Sequence, residues 1–325
     1  MDTSLIDRWR REGLVDEVTA TRMRADVDKA RGGGGLLMLA ALLNGLVLFA
    51  FTRVHGLDVG AHEILLLWLV CVLPLAYGVR ARGLSAAASA LFVLWFVAVA
   101  FRGLSFFSTF DRWVLVAPLL LLGGVTAFAL GGLHYLVPGF ETVARPARLV
   151  GLQCVLLGLF AMTLDFIAAG TSFADELRDP AATQQVVVAA VCAGVVTIAA
   201  TIAGQALRAR APRLTVVEAP VNVVLVVTAL SFIVAPLSTA VASKLASVVL
   251  LLLVGSVFVV GFRDKDRRLV RISLGAFTVF LALHVGDFLR GQTSTVVAVA
   301  VAVAIAVVFG GATVFLSARL KKAAT

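Results

Sequence analysis

The chain has 325 residues, 61% of them hydrophobic and only 14% charged, with a formal net charge of +9. Soluble domains carry roughly 25% charged residues, so a single water-soluble core is excluded. The positive charge does not mark a nucleic-acid binder either: Lys and Arg lie in separate short runs between apolar blocks and form no aromatic-interleaved patch.

In chain order, residues 4–35 are the one stretch that reads as water-soluble. Ser4 suits the cap of a short helix carrying Leu5, Ile6 and Trp9 on one side, and Gly13 suits a left-handed helix end. Leu14 and Val15 cross the turn. A second helix is predicted from about Asp16, with Ala20, Met23, Val27 and Ala30 on one stripe. Residues 1–31 thus form a helical hairpin, and Gly32 to Gly35 are expected to loosen its junction with the membrane bundle, residues 32–325. So small a unit needs support from the bundle, a protein partner or a second copy of the chain. Leu5, Trp9 and Leu14 are its candidate contact residues. Acidic and basic residues alternate along the second helix, which argues against a DNA-reading helix. A charged segment precedes the first apolar run, so no cleavable leader is expected.

Ten transmembrane helices follow, at about 33–52, 62–79, 84–101, 113–137, 149–169, 184–207, 214–235, 244–262, 270–288 and 295–317. Each approaches the length that crosses roughly 30 Å of hydrocarbon. Lipid admits only helices or closed barrels. The alternating stretch 296–308 pairs Val with Ala, both apolar, so it encodes no barrel face. The predicted fold is an all-α polytopic bundle. Trp113 opens the fourth span at an interface, Asp179 and Pro180 suit the cap and first position of the sixth, and Pro74 should kink the second.

With the N-terminus in the cytoplasm, 22 of the 28 Lys and Arg residues fall on the inner side and 6 outside: Arg53, Arg102, Arg112, Arg178, Lys244 and Arg290. That asymmetry follows the positive-inside rule and places both termini in the cytoplasm. The opening pattern Leu5-x3-Trp9-x3-Gly13-Leu14, then a helix and a glycine-rich entry into many hydrophobic helices, resembles a bacterial domain-of-unknown-function family. Its members are multispanning membrane proteins with an N-terminal cytosolic hairpin. The resemblance implies that build and a location in the bacterial cytoplasmic membrane, and it carries over no catalytic residue.

Residues 148–166 and 268–288 both begin Arg-Leu-Val and end Asp-Phe. They are the fifth and ninth spans, so spans two to five would repeat as six to nine in parallel orientation, as in some transporters. The second copy is two residues longer, which breaks helical phase.

Ionisable groups inside spans are functional hypotheses by default. Asp165 lies near the outer end of the fifth span, Asp287 at the outer end of the ninth, and His284 one turn deeper on the same face. His62 and Glu63 begin the second span. Together they would line an outward vestibule, where a histidine beside a carboxylate suits proton transfer between about pH 5 and 8. The competing reading makes them hydrated rim residues that pair with Arg290 or Arg53. Deeper in the bundle, Glu218 and Asn222 lie one turn apart on the seventh span with Pro220 between them, which could free carbonyls beside the carboxylate. Thr197, Thr201 and Gln205 form a seam on the sixth that reads as helix-to-helix glue.

His55, His62 and His284 share no ligand spacing, and Cys71, Cys154 and Cys192 lie in apolar blocks without CxxC spacing. No metal or cofactor is expected. No GxSxG, HExxH, Walker or dinucleotide fingerprint occurs, so no catalytic constellation emerges. The readings that remain are a transporter or permease for a small solute, ion or lipid, and a scaffold or sensor whose hairpin recruits a partner. An intramembrane enzyme acting on lipid lacks a nucleophile. The expected partners are membrane lipids and, through residues 1–31, another protein or a second copy.

Overall fold

The computed structural model describes residues 6, 9–55, 59–100, 113–163, 180–207, 218–234, 239–264 and 266–290, with part of 294–311. Among them there is no strand. The helices are α1 (Glu17–Val54), α2 (Ala61–Val79), α3 (Arg82–Ala100), α4 (Trp113–Leu133), α5 (Glu141–Thr163), α6 (Pro180–Ala206), α7 (Glu218–Val234), α8 (Thr239–Arg263) and α9 (Arg267–Arg290). A 3-10 turn, His134–Leu136, follows α4. The all-α bundle is as predicted.

The N-terminal turn is built as its sequence dictates. Gly13 adopts φ 70°, its N–H donates to Arg10 O (3.2 Å), and Leu14 N–H donates to Trp9 O (2.9 Å). These are the two bonds of a Schellman helix end. Asp16 then caps α1, its carboxylate accepting the Thr19 N–H at 3.1 Å. Arg10 pairs with Glu17 across the turn at 3.3 Å. Ser4 and Leu5 lie outside the described residues.

The junction at Gly32–Gly35 corrects an expectation: α1 continues through it without a break to Val54. Each glycine weakens a helix by roughly 1 kcal/mol. A backbone entering lipid must nevertheless satisfy its own N–H and C=O groups, and helix does this locally.

Among the described residues, seven helices are long and apolar enough to cross a membrane: Ala61–Val79, Arg82–Ala100, Leu115–Leu136, Glu141–Thr163, Gln184–Ala206, Ser243–Arg263 and Arg267–Val285. The predicted number was ten. The difference lies in two shorter apolar helices, Met38–Thr52 and Glu218–Val234, and in the last segment, whose described residues between 296 and 311 are helical. Large aliphatic side chains face outward all along these helices, among them Leu46, Val195, Leu252 and Val259. Water would penalise such a surface and hydrocarbon does not. The chain is a multi-pass membrane protein.

Two compact units divide the chain: Met1–Arg102 with Thr126–Gly151 and Ala199–Val216, and Gly103–Val125 with Leu152–Ile198 and Val217–Thr325. In the first, Ala41 of α1, Leu69, Val72 and Ala76 of α2, and Leu84, Ala88 and Leu91 of α3 share one core. Trp68 Nε1–H donates to Ala41 O at 2.7 Å. Gly45 supplies the notch for the indole, since a Cβ there would lie 2.3 Å from the ring.

In the second unit, small residues let backbones meet, as expected where lipid removes the hydrophobic drive between helices. A Cβ on Gly158 of α5 would lie 2.7 Å from Leu121 N and 2.8 Å from Ala117 O of α4. Ser243 of α8 donates to Thr163 O of α5 at 3.0 Å, both residues being buried. α4 is the most enclosed of the seven, with 78% of its central window buried.

Candidate functional site

The predicted vestibule residues meet different ends. Asp165 lies outside the described residues. Asp287 falls within α9, with its side chain outside the described residues. His284, half-buried on α9, presents Nδ1 to Phe280 O at 3.0 Å and packs on the Phe280 ring with centroids 4.1 Å apart. Because a carbonyl only accepts, the neutral ring carries its proton on Nδ1, and Nε2 keeps its lone pair.

Glu63 has a structural job. Its carboxylate accepts the Gly60 N–H at 3.0 Å, so it caps the start of α2, and His62 Nε2 lies 4.0 Å from its other oxygen. Pro220 also departs from expectation. α7 is described from Glu218, so Pro220 occupies its first described turn, where a missing N–H removes no bond within Glu218–Val234. Glu218 is half-buried and Asn222 is 4% exposed, one turn further in. Thr197 is fully buried and donates to Ala193 O at 2.8 Å, which satisfies its hydroxyl within its own helix. Among the described residues no three His, Cys, Asp or Glu side chains gather as metal ligands.

Among the described residues, one polar constellation is not anticipated by the sequence reading. It lies in the first unit, at the C-terminal ends of α2 and α4 and the start of α5. Tyr77 Oη and His134 Nε2 are 2.5 Å apart, and the two rings stack at 5.5 Å. His134 Nδ1 lies 2.9 Å from Leu130 O. That carbonyl fixes the tautomer: Nδ1–H donates to it, and Tyr77 O–H donates to Nε2.

Phe140 approaches the other side of Tyr77 at 5.8 Å and carries the Arg80 guanidinium 4.9 Å above its centroid. Arg148 of α5 stands 4.3 Å over Phe128 and 5.6 Å over Tyr135. Each of the two tyrosines of the chain therefore belongs to a group of rings that carries an arginine. α5 begins eight residues before its predicted position 149, with Phe140 O accepting the Ala144 N–H at 2.9 Å. That early start brings Phe140 to Tyr77. The available signal was His134-Tyr135 at the C-terminal end of the fourth span and Tyr77 at the C-terminal end of the second.

Comparison of the chain with protein families, with curated proteins and with solved structures finds no match.

Proposed function

We propose that this chain is a permease-like protein for a small solute, ion or lipid, a member of the bacterial family its opening pattern resembles, set in the cytoplasmic membrane with both termini inside. The observation that carries the transport reading is Asn222, a buried amide on an apolar helix, one turn from Glu218. An amide brings two donors and an acceptor into the span, and polar groups inside lipid mark paths or binding sites. The parallel echo of the fifth and ninth spans supports the same reading. Gly131 of α4 closes on Ala147 and Arg148 of α5, and Gly261 of α8 closes on Leu269 and Val270 of α9, each at an Arg-Leu-Val start. The 22-to-6 distribution of basic residues supports the orientation.

The test is flux in proteoliposomes containing the purified chain, with protons, sodium, potassium and a headgroup-labelled phospholipid as probes. The wild type accelerates at least one of them. The Glu218→Gln/Asn222→Leu variant lowers that rate about tenfold, the effect of one lost charge-assisted hydrogen bond. An unchanged rate in the variant defeats the reading.

A second reading, a scaffold or sensor, is favoured by the exposed Leu14 (67%) and Val18 (59%) beside the start of an uninterrupted α1. Removing residues 1–15 separates the two. Flux survives under the first reading, and the cellular phenotype is lost under the second.

A further inference from the structure

Arg80 is held by three independent features of the first unit. Its backbone is left-handed, φ 53° and ψ 32°, at the C-terminal end of α2, and it is the only non-glycine residue with positive φ among the described residues. That conformation crowds the Cβ of an L-residue, and a glycine would avoid the strain. Across from it Gly139, at φ 83°, leaves the guanidinium room: a Cβ there would lie 2.8 Å from Arg80 Nη1. Phe140 supplies a ring for the flat face of the cation. A stacked guanidinium keeps its N–H edge for an acceptor, and among the described residues no carboxylate pairs with Arg80.

The surroundings specify an amphiphile. Val79 precedes Arg80 and is 50% exposed, and Val137, three residues before Phe140, is 49% exposed. Apolar surface therefore adjoins the cation directly. Arg148, standing over Tyr135 and Phe128, adds a second positive charge on α5, eight residues beyond Phe140. On the first turn of α5 the Thr142 hydroxyl is buried with no hydrogen-bond partner among the described residues. Aromatic side chains with arginines at helix ends belong at the headgroup level of a bilayer. We propose that Arg80, mounted on Phe140 and opposite Gly139, binds the phosphate of an anionic phospholipid whose acyl chains run along the exposed valines. The inference rests on the membrane location alone and stands whether or not the chain transports anything.

Native mass spectrometry of the full chain, purified in detergent and incubated with phosphatidylglycerol or phosphatidylcholine, tests it. The wild type retains phosphatidylglycerol about tenfold over phosphatidylcholine, and Arg80→Gln removes most of that preference. Phe140→Leu keeps the charge and the apolar volume while removing the ring, so it weakens retention even if Arg80→Gln fails to fold. Arg263→Gln, which alters an exposed arginine paired with Asp264, leaves retention unchanged. Three results overturn the proposal. One is equal retention of the two lipids. Another is equal loss in Arg263→Gln, which would mean diffuse surface charge. The last is displacement of the lipid by millimolar inorganic phosphate, which would make the site one for the free anion.

Discussion

At Gly158 one added carbon would meet both Leu121 N and Ala117 O, backbone atoms that cannot swing aside. Gly255, in α8, has open space where a Cβ would go. Gly158→Ala is therefore expected to push α4 and α5 apart at a cost of about 1–3 kcal/mol, read as reduced resistance to unfolding in detergent. Gly255→Ala should be neutral or slightly stabilising. Apolar sequence cannot tell these two glycines apart, because the distinction is made by what faces each of them. Ionisable residues were easier to notice and harder to interpret. Glu63 stands out by rarity in an apolar stretch, yet its role as a cap follows only from the Gly60 N–H within reach. His134 drew no attention at the end of its span, and its bond to Tyr77 joins residues 57 positions apart.

At the scale of elements, existence was legible and boundaries were not. Long apolar runs require helix in lipid whatever their detail, so the described part of every predicted span is helical apart from its last residues at 134–137, a 3-10 turn and a bend, and at Leu207, a turn. Helix starts answer to local partners instead. Pro180 and Trp113 are the first described residues of α6 and α4, whereas α5 begins at Glu141 because Phe140 O serves as its first acceptor, with Pro146 tolerated inside. The start of α1 depends on pH. The hydrogen bonds that the Thr19 side chain and N–H give to the exposed Asp16 carboxylate hold it below the usual carboxylate range. They favour the ionised form, so the cap is fully effective above the unfolded chain's carboxylate value. It is lost as pH falls through the lowered native value. Amide hydrogen exchange at Thr19 to Thr21 should accelerate relative to the intrinsic rate on acidification below about pH 4. In Asp16→Asn that dependence should vanish, and its persistence would assign the effect to another group.

For the whole molecule, the deciding quantity is how surface divides between oil and water. Leucines and valines fill the interior, and a comparable set of them faces outward, a surface that water would penalise. Orientation is a separate matter, carried by where the arginines lie. Compartment-sensitive reporters fused to each end should both signal from the cytoplasm, and signals from opposite sides would refute an even number of crossings. The unbroken α1 has a mechanical consequence of its own. Its 38 residues make a rod of about 57 Å, gripped over one stretch where Ala41 joins the core of α2 and α3 and the Trp68 indole enters the Gly45 notch. A torque applied at the water-exposed tip would arrive at that grip as rotation, with no slack to absorb it. One residue inserted among the four glycines would turn the tip by about 100° about the rod axis.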